Sequence, residues 1–166
     1  MQNVQERTID APATEVGALL DRLGTPDDRI WPAPAWPPLV LDAGPAVGSR
    51  GGHGRIAYAV VAYEPGRRIR FAFAPGRGLD GHHEFVVIPQ GPERCRISHV
   101  ARGRLEGRMR LLWPLMIRWL HEALLQDLFD NLQRAATGHL PRPARWSLRV
   151  RLLRRALSRS APSGTA

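Results

Sequence analysis

The sequence predicts an α+β fold in which a curved antiparallel β-sheet wraps around a long C-terminal α-helix, with an internal cavity between them. A strand-like and a helical segment open the chain, and alternating strand-like segments follow. One long helical stretch, Leu111 to Thr137, then closes the folded part before Gly138. Small apolar ligands bind in side-chain-lined spaces of this kind, so we expect a container.

Size and charge divide the chain into a body and a tail. The 166 residues, 43% of them hydrophobic, suit one domain over residues 1–140 and a tail over residues 141–166. All 24 basic residues are Arg: 17 accompany the 15 acids of the body, giving +2, and seven stand in the acid-free tail, giving +7. A single cysteine, Cys95, excludes an intrachain disulfide. The absence of a signal-like start or of an apolar run of about 20 residues predicts a cytoplasmic protein, with peripheral membrane contact left open by the tail.

The first 30 residues predict a strand and two helices. Val4 to Ile9 alternates weakly, as a strand does. After Pro12, a helical stripe ends before Gly24 and consists of Val16, Leu19, Leu20 and Leu23. Residues 25–28, Thr-Pro-Asp-Asp, have the composition of a helix start and predict a short second helix.

Residues 32–54 are rich in Pro and Gly, which excludes regular helix there. We expect a short strand near Leu39 to Asp42 inside a mobile flap, because long structureless loops are uncommon in compact domains. Gly51 to Gly54 is interpreted as plain loop. Trp31 and Trp36 become aromatics of the flap or its rim.

The first predicted hairpin turns at Glu64 to Arg67. Side chains alternate between sheet faces, so parity alone assigns the inner pairs Tyr58–Phe73, Val60–Phe71 and Ala62–Ile69. The opposite, wetter face then carries Val61 and Tyr63 across from Arg70 and Arg68.

The second predicted hairpin turns at Gly91. Its inner pairs are expected to be Val87–Cys95, Phe85–Ile97 and His83–His99. This face is apolar except for the two histidines, whereas the other face is polar, as expected where a sheet meets water.

The terminal helix carries an apolar stripe composed of Ile117, Leu120, Leu124, Leu128, Leu132 and Ala135. Burying about five such chains at ~1.5–3 kcal/mol each contributes on the order of 10 kcal/mol before entropy. The helix must therefore pack against the inner face of the hairpins. The residues expected to line the ligand space are Trp31, Trp36, Val60, Phe71, Phe73, Phe85, Ile97, Trp113, Met116, Leu120 and Leu124.

The inward pair His83 and His99 is the candidate for chemistry, with Tyr58 on the same sheet able to bond a ligand carbonyl. Imidazoles exchange protons near neutral pH, as an enolising cyclisation or a dehydration requires. The alternative interpretation is a hydrogen-bonded structural pair. Asp80 and His82 do not extend the pair to a metal site, because neighbouring strand residues point to opposite faces. Neither a metal nor a cofactor is predicted.

If helical, the tail presents an apolar stripe of Trp146, Val150, Leu153 and Leu157 flanked by arginines, which suits an anionic membrane surface. The alternative is a disordered or partly helical solvated tail. Nucleic-acid binding is disfavoured, because no stacking aromatics accompany the outward arginines of the sheet.

Three segments carry a family resemblance: Val4 to Val16, Tyr63 to Ile69, and Leu128 to Leu132. Over residues 3–138 the chain resembles the START-like or SRPBCC superfamily, which includes polyketide cyclase/dehydrase and lipid-transport types. The resemblance implies a helix-grip fold. Members bind lipids, hormones or polyketides, and some catalyse ring closure or dehydration, but no catalytic residue is transferred.

These observations leave the ligand's identity and the oligomeric state open and predict three functions in order. The first is binding, with or without transport, of a small hydrophobic or polyketide-like molecule. The second is an aromatase/cyclase or dehydratase that uses His83, His99 and Tyr58. The third is an interaction module that acts at membranes through the basic tail.

Overall fold

The computed structural model describes residues 1–159 and confirms the predicted α+β fold of a curved antiparallel sheet with a long C-terminal helix. Seven strands form one curved antiparallel sheet in the order β1-β7-β6-β5-β4-β3-β2. The strands are β1 (Gln2–Ile9), β2 (Leu39–Leu41), β3 (Arg50–His53), β4 (Ile56–Glu64), β5 (Arg68–Phe73), β6 (Leu79–Gly91) and β7 (Arg94–Leu105). The helices are α1 (Ala13–Leu20), α2 (Met109–Leu112), a π-helical turn (Trp113–Ile117), α3 (Arg118–Thr137) and α4 (Leu148–Arg159).

The predicted second helix is wrong, because residues 25–28 form turns. The carboxylate of Asp28 accepts hydrogen bonds from the backbone N–H groups of Ile30 and Trp31, both at 2.9 Å, and of Gly24 at 2.8 Å. A short acidic side chain that bonds nearby backbone donors competes with helix formation.

The glycines at residues 51 and 52 belong to a strand, β3, and not to the plain loop that was predicted. A Cβ added to Gly51 would lie 1.9 Å from the carbonyl oxygen of Val40, and one added to Gly52 would lie 2.0 Å from that of Ile56. Neighbouring backbones therefore approach too closely for any side chain. The strand predicted at residues 39–42 is present as β2.

A β-bulge displaces the end of the first hairpin. The pairs Tyr58–Phe73 and Val60–Phe71 are as predicted, but the register shifts between Val60 and Ala62. Tyr63 then pairs with Ile69, in place of Ala62, and its hydroxyl donates to Asp21 at 2.9 Å. The predicted outward position of Tyr63 is wrong, because one extra residue exchanges the two faces.

The second hairpin keeps the predicted faces but slips by two residues. His83 lies opposite Ala101, and Phe85 lies opposite His99. The irregularity between Pro89 and Gly91 sets this register. A two-residue slip preserves parity, so both histidines still point inward.

The long helix ends as predicted at Gly138, whose φ of 69° and N–H bond to the Arg134 carbonyl (2.9 Å) form a left-handed cap. Its buried face is rotated from the predicted stripe, since Ala135 is exposed. The face that meets the core consists of Leu124, Leu125, Leu128, Phe129 and Leu132.

Polar side chains join α3 to the edge strand β1. Their contacts are Asn3 with Glu122, Gln5 with Gln126, and Arg7 with Gln126 and Asp130. The spacing follows from two periods, since alternate residues of a strand meet residues four apart on a helix.

The tail is docked on the body as far as the structure describes it. Trp36 and Trp146 both donate their indole N–H to the same Asp127 oxygen, at 2.7 and 2.8 Å. Val150 of α4 is buried, whereas Leu148 and Leu152 are exposed. The last part of the predicted tail, residues 160–166, lies outside the described residues. No helix within residues 1–159 combines the length and the apolar character that a bilayer crossing requires.

Candidate functional site

Two histidines lie at the centre of the sheet's inner face, one on β6 and one on β7. His83 Nδ1 is 3.2 Å from His99 Nε2, and the residues are only 8% and 1% exposed. One ring must donate its N–H and the other must accept it. The rings meet diagonally rather than across the strand pair, so the predicted contact exists although the predicted pairing is wrong.

Aromatic rings enclose His83. The ring centroid of Phe71 lies 4.8 Å away and is stacked, Tyr58 lies 4.9 Å away edge-on, and Phe73 lies 5.0 Å away. Phe85 packs against His99 at 4.5 Å. Burial raises the pKa of Tyr58, so its hydroxyl stays protonated. The histidine pair is therefore a polar group surrounded by these four rings, which are called the aromatic wall below.

A third histidine, which the sequence analysis did not single out, extends this pair. The ring of His121 on α3 lies 5.1 Å from that of His99 and 5.9 Å from that of Trp113. The Nδ1 atoms of His99 and His121 are both buried, and neither makes a hydrogen bond of ordinary geometry to another residue. His83, His99 and His121 are called the histidine cluster below.

Burial keeps the histidine cluster uncharged. It lowers the pKa of His83 and of His99 well below the ordinary value, and the neighbouring histidines lower both further. Burial likewise lowers the pKa of His121 to about 4. Each ring thus offers one donor and one acceptor at neutral pH. Among residues 1–159, no three His, Cys, Asp or Glu side chains are grouped so as to hold a metal ion.

The structure divides the predicted ligand-lining residues by exposure. Seven are buried: Trp36, Val60, Phe71, Phe85, Ile97, Trp113 and Leu124. Four keep partial exposure: Trp31, Phe73, Met116 and Leu120.

The two predicted rim tryptophans have different neighbours. The ring centroid of Trp31 lies 4.9 Å from that of His53. The His53 ring in turn lies 6.1 Å from the Tyr58 ring. Trp36 packs edge-on against Trp146 at 5.8 Å. Trp31 therefore adjoins the aromatic wall, whereas Trp36 holds the tail.

In this conformation aromatic rings pack directly against the histidine cluster. Two open hollows lie on the outer surface. One, of about 550 Å³, lies between α1 and the β4–β5 turn, and the other, of about 360 Å³, lies beside Asp127 and Trp146.

One family model matches most of the sequence. It is described as polyketide cyclase / dehydrase and lipid transport, and it covers residues 1–137. A search of curated proteins finds no match to the sequence.

Solved structures share the fold at low sequence identity. Norcoclaurine synthase from Thalictrum flavum, in complex with dopamine and hydroxybenzaldehyde, has a TM-score of 0.64 at 13% identity, over 86% of this chain and 89% of that one. A protein from Thermobifida fusca has 0.61 at 16%, over 84% and 97%. CalU16 from Micromonospora echinospora has 0.59 at 14%, over 93% and 82%. Likeness at this identity shows the fold alone.

Proposed function

The chain belongs to the polyketide cyclase/dehydrase and lipid transport family, and from that premise we propose that it binds a small hydrophobic, polyketide-like molecule against the inner face of the sheet. The observation that carries the proposal is the histidine cluster, a polar group with unpartnered nitrogens inside an aromatic wall. Ligand sites combine an apolar lining with a few polar groups in this way.

The test is titration calorimetry with a panel of aromatic, polyketide-like and fatty-acid compounds. His83→Ala and His99→Ala are expected to weaken binding of the best compound about tenfold, the effect of losing one hydrogen bond. His82→Ala is the matched control, because His82 neighbours His83 on β6 but faces the other side of the sheet. Absence of binding across the panel, or equal loss in the control, contradicts the proposal.

The contact between two uncharged imidazoles favours a second candidate, a cyclase or dehydratase. A neutral His83 or His99 can accept a proton from a carbon between two carbonyl groups, and Tyr58 lies against His83. Binding alone predicts no turnover of a polyketone thioester analogue. Turnover that disappears in both His83→Ala and His99→Ala would establish the enzyme, whereas turnover that survives in both would exclude these residues.

The exposed side of α4 supports membrane contact as an accessory role. The predicted stripe packs partly inward through Val150, but its Leu157 is exposed. Leu148 and Leu152, which lie off that stripe, are exposed as well, as is Leu115 of the π-helical turn. The Arg149 guanidinium links the two elements by donating to the Leu115 carbonyl at 2.7 Å. Leucines among arginines suit an anionic bilayer surface.

Co-sedimentation with phosphatidylserine vesicles tests this role. Leu148→Ser with Leu152→Ser is expected to reduce binding severalfold, because two leucine side chains can no longer bury apolar surface in the bilayer. Val40→Ser with Val47→Ser removes exposed apolar surface outside α4 and serves as control. Equal binding by both double variants would contradict a role for α4.

A further inference from the structure

Two neighbouring nitrogens in the interior lack a partner within the described chain. They are Nδ1 of His99 and Nδ1 of His121, on rings whose centroids are 5.1 Å apart. His99 Nε2 is already engaged by His83. Buried polar atoms are almost always hydrogen-bonded, so this pair of atoms points to a polar atom that comes from outside the fold.

We propose that His99 and His121 together form a recognition site for a neutral hydroxyl group, phenolic or enolic, on the bound molecule. The inference rests on the proposed binding function and names the class of ligand. A hydroxyl carries one donor and two acceptor positions, so it can bond to both imidazoles at once. Either ring can supply the lone pair, because a neutral imidazole has two tautomers.

The surroundings select a neutral group over an ionised one. The groups that act electrostatically on His83 and His99 are other histidines, which are uncharged when the site is closed. A carboxylate would therefore be buried without a counter-charge, which is strongly unfavourable. Fatty acids are thus disfavoured relative to hydroxylated molecules.

The flanking rings indicate what carries the hydroxyl. Phe85 lies 4.5 Å from the His99 ring, and Trp113 lies 5.9 Å from the His121 ring. An aromatic ring beside each of the two histidines suits a flat ligand. The class that combines the two features is a hydroxylated aromatic ring or an enolised polyketone.

Three probes of nearly equal shape test this class: a naphthol, the methylnaphthalene in which a methyl group replaces the hydroxyl, and the corresponding naphthoate. The full chain is expected to bind the naphthol about tenfold more tightly than methylnaphthalene, and the naphthoate most weakly. In wild-type protein, the imidazole nitrogen resonances of two histidines are expected to shift with the naphthol and not with methylnaphthalene.

His121→Phe keeps an aromatic ring and removes both ring nitrogens, so it is expected to abolish the preference for the naphthol while methylnaphthalene still binds. His82→Phe, on the outer face, should keep the preference. Equal affinity for naphthol and methylnaphthalene in the wild type, with no histidine shift, would overturn the hydroxyl site and leave the binding function standing. Failure of all three probes to bind would overturn both. The wild-type measurements decide the matter even if His121→Phe does not fold.

Discussion

At the scale of single residues, Gly17 shows how a close approach overrides a local preference. It lies in the middle of α1, and a Cβ added there would be 2.1 Å from the carbonyl oxygen of Gly66 in the β4–β5 turn. Replacing a helical Gly by Ala gains about 1 kcal/mol, whereas forcing packed backbones apart costs about 1–3 kcal/mol or more. The free-energy cost of the backbone clash should therefore exceed the gain in helix propensity.

Gly17→Ala is therefore expected to lower the free energy of unfolding by up to about 2 kcal/mol in urea denaturation. Ala18→Gly, at an exposed position of the same helix, measures the propensity effect by itself. A Gly17→Ala protein that is more stable than the wild type would show that α1 does not approach the turn this closely.

His121 shows what residue patterns could and could not predict at the site. His83 and His99 were predicted to point inward because strand parity is rigid. The predicted stripe leaves out His121 because it begins with Ile117 and Leu120, whereas the buried face of α3 includes Leu125 as well as Leu128. The available signal was its spacing, four and seven residues before those two leucines.

At the scale of elements, the sequence predicts which face of the sheet each strand residue occupies, but it does not predict where a β-bulge exchanges the faces. The inner face of β6 and β7 follows from alternation, and Gly138 marks the helix end. The bulge after Val60 reverses Tyr63, and nothing in the alternation of residues 56–64 requires it. It becomes intelligible only with Asp21, which is distant in sequence and accepts hydrogen bonds from Tyr63 and from the backbone of Gly66.

The docking of α4 depends on one arginine held between two indoles. The Arg154 guanidinium lies 4.3 Å from the Trp36 ring centroid and 4.2 Å from that of Trp146, and it donates to the Ala35 carbonyl. Each cation–π contact contributes about 0.5–2 kcal/mol. Arg154→Met keeps the length of the side chain but removes both contacts.

Hydrogen exchange of α4 measures the effect. Arg154→Met is expected to speed exchange over residues 148–157 about tenfold or more, since about 1.4 kcal/mol is a factor of ten. Arg151→Met on the same helix loses only a bond to the nearby Trp146 carbonyl and should change exchange little. Equal effects of the two variants would contradict the arginine clamp.

At the scale of the whole molecule, the buried histidines make the fold sensitive to acid. Burial lowers the pKa of His53 and of His121 to about 4, and those of His83 and His99 well below 6.5. As the pH falls below 6.5, these histidines therefore become protonated in the unfolded chain but stay uncharged in the folded chain. Stability is retained above that pH and declines below it, by about 1.4 kcal/mol per pH unit for each uncharged histidine.

Carboxylates contribute in a different pH range. Burial raises the pKa of Glu84, but hydrogen bonds from Arg70 and Arg68 outweigh it and leave the pKa lowered from 4.5. The stabilisation from Glu84 is therefore lost only below pH 4.5. A decline that begins near pH 6.5 belongs to the histidines.

Chemical denaturation between pH 7.5 and 4.5 is expected to show this decline, and His121→Phe should make it shallower by about 1.4 kcal/mol per pH unit. His139→Phe is the control, because His139 is exposed. A stability that stays constant down to pH 4.5 would mean that the interior admits water and proton together. The polar site would then be hydrated in the folded protein. Water would supply the hydrogen bonds that the unpartnered nitrogens lack, and these nitrogens would no longer be evidence for a ligand.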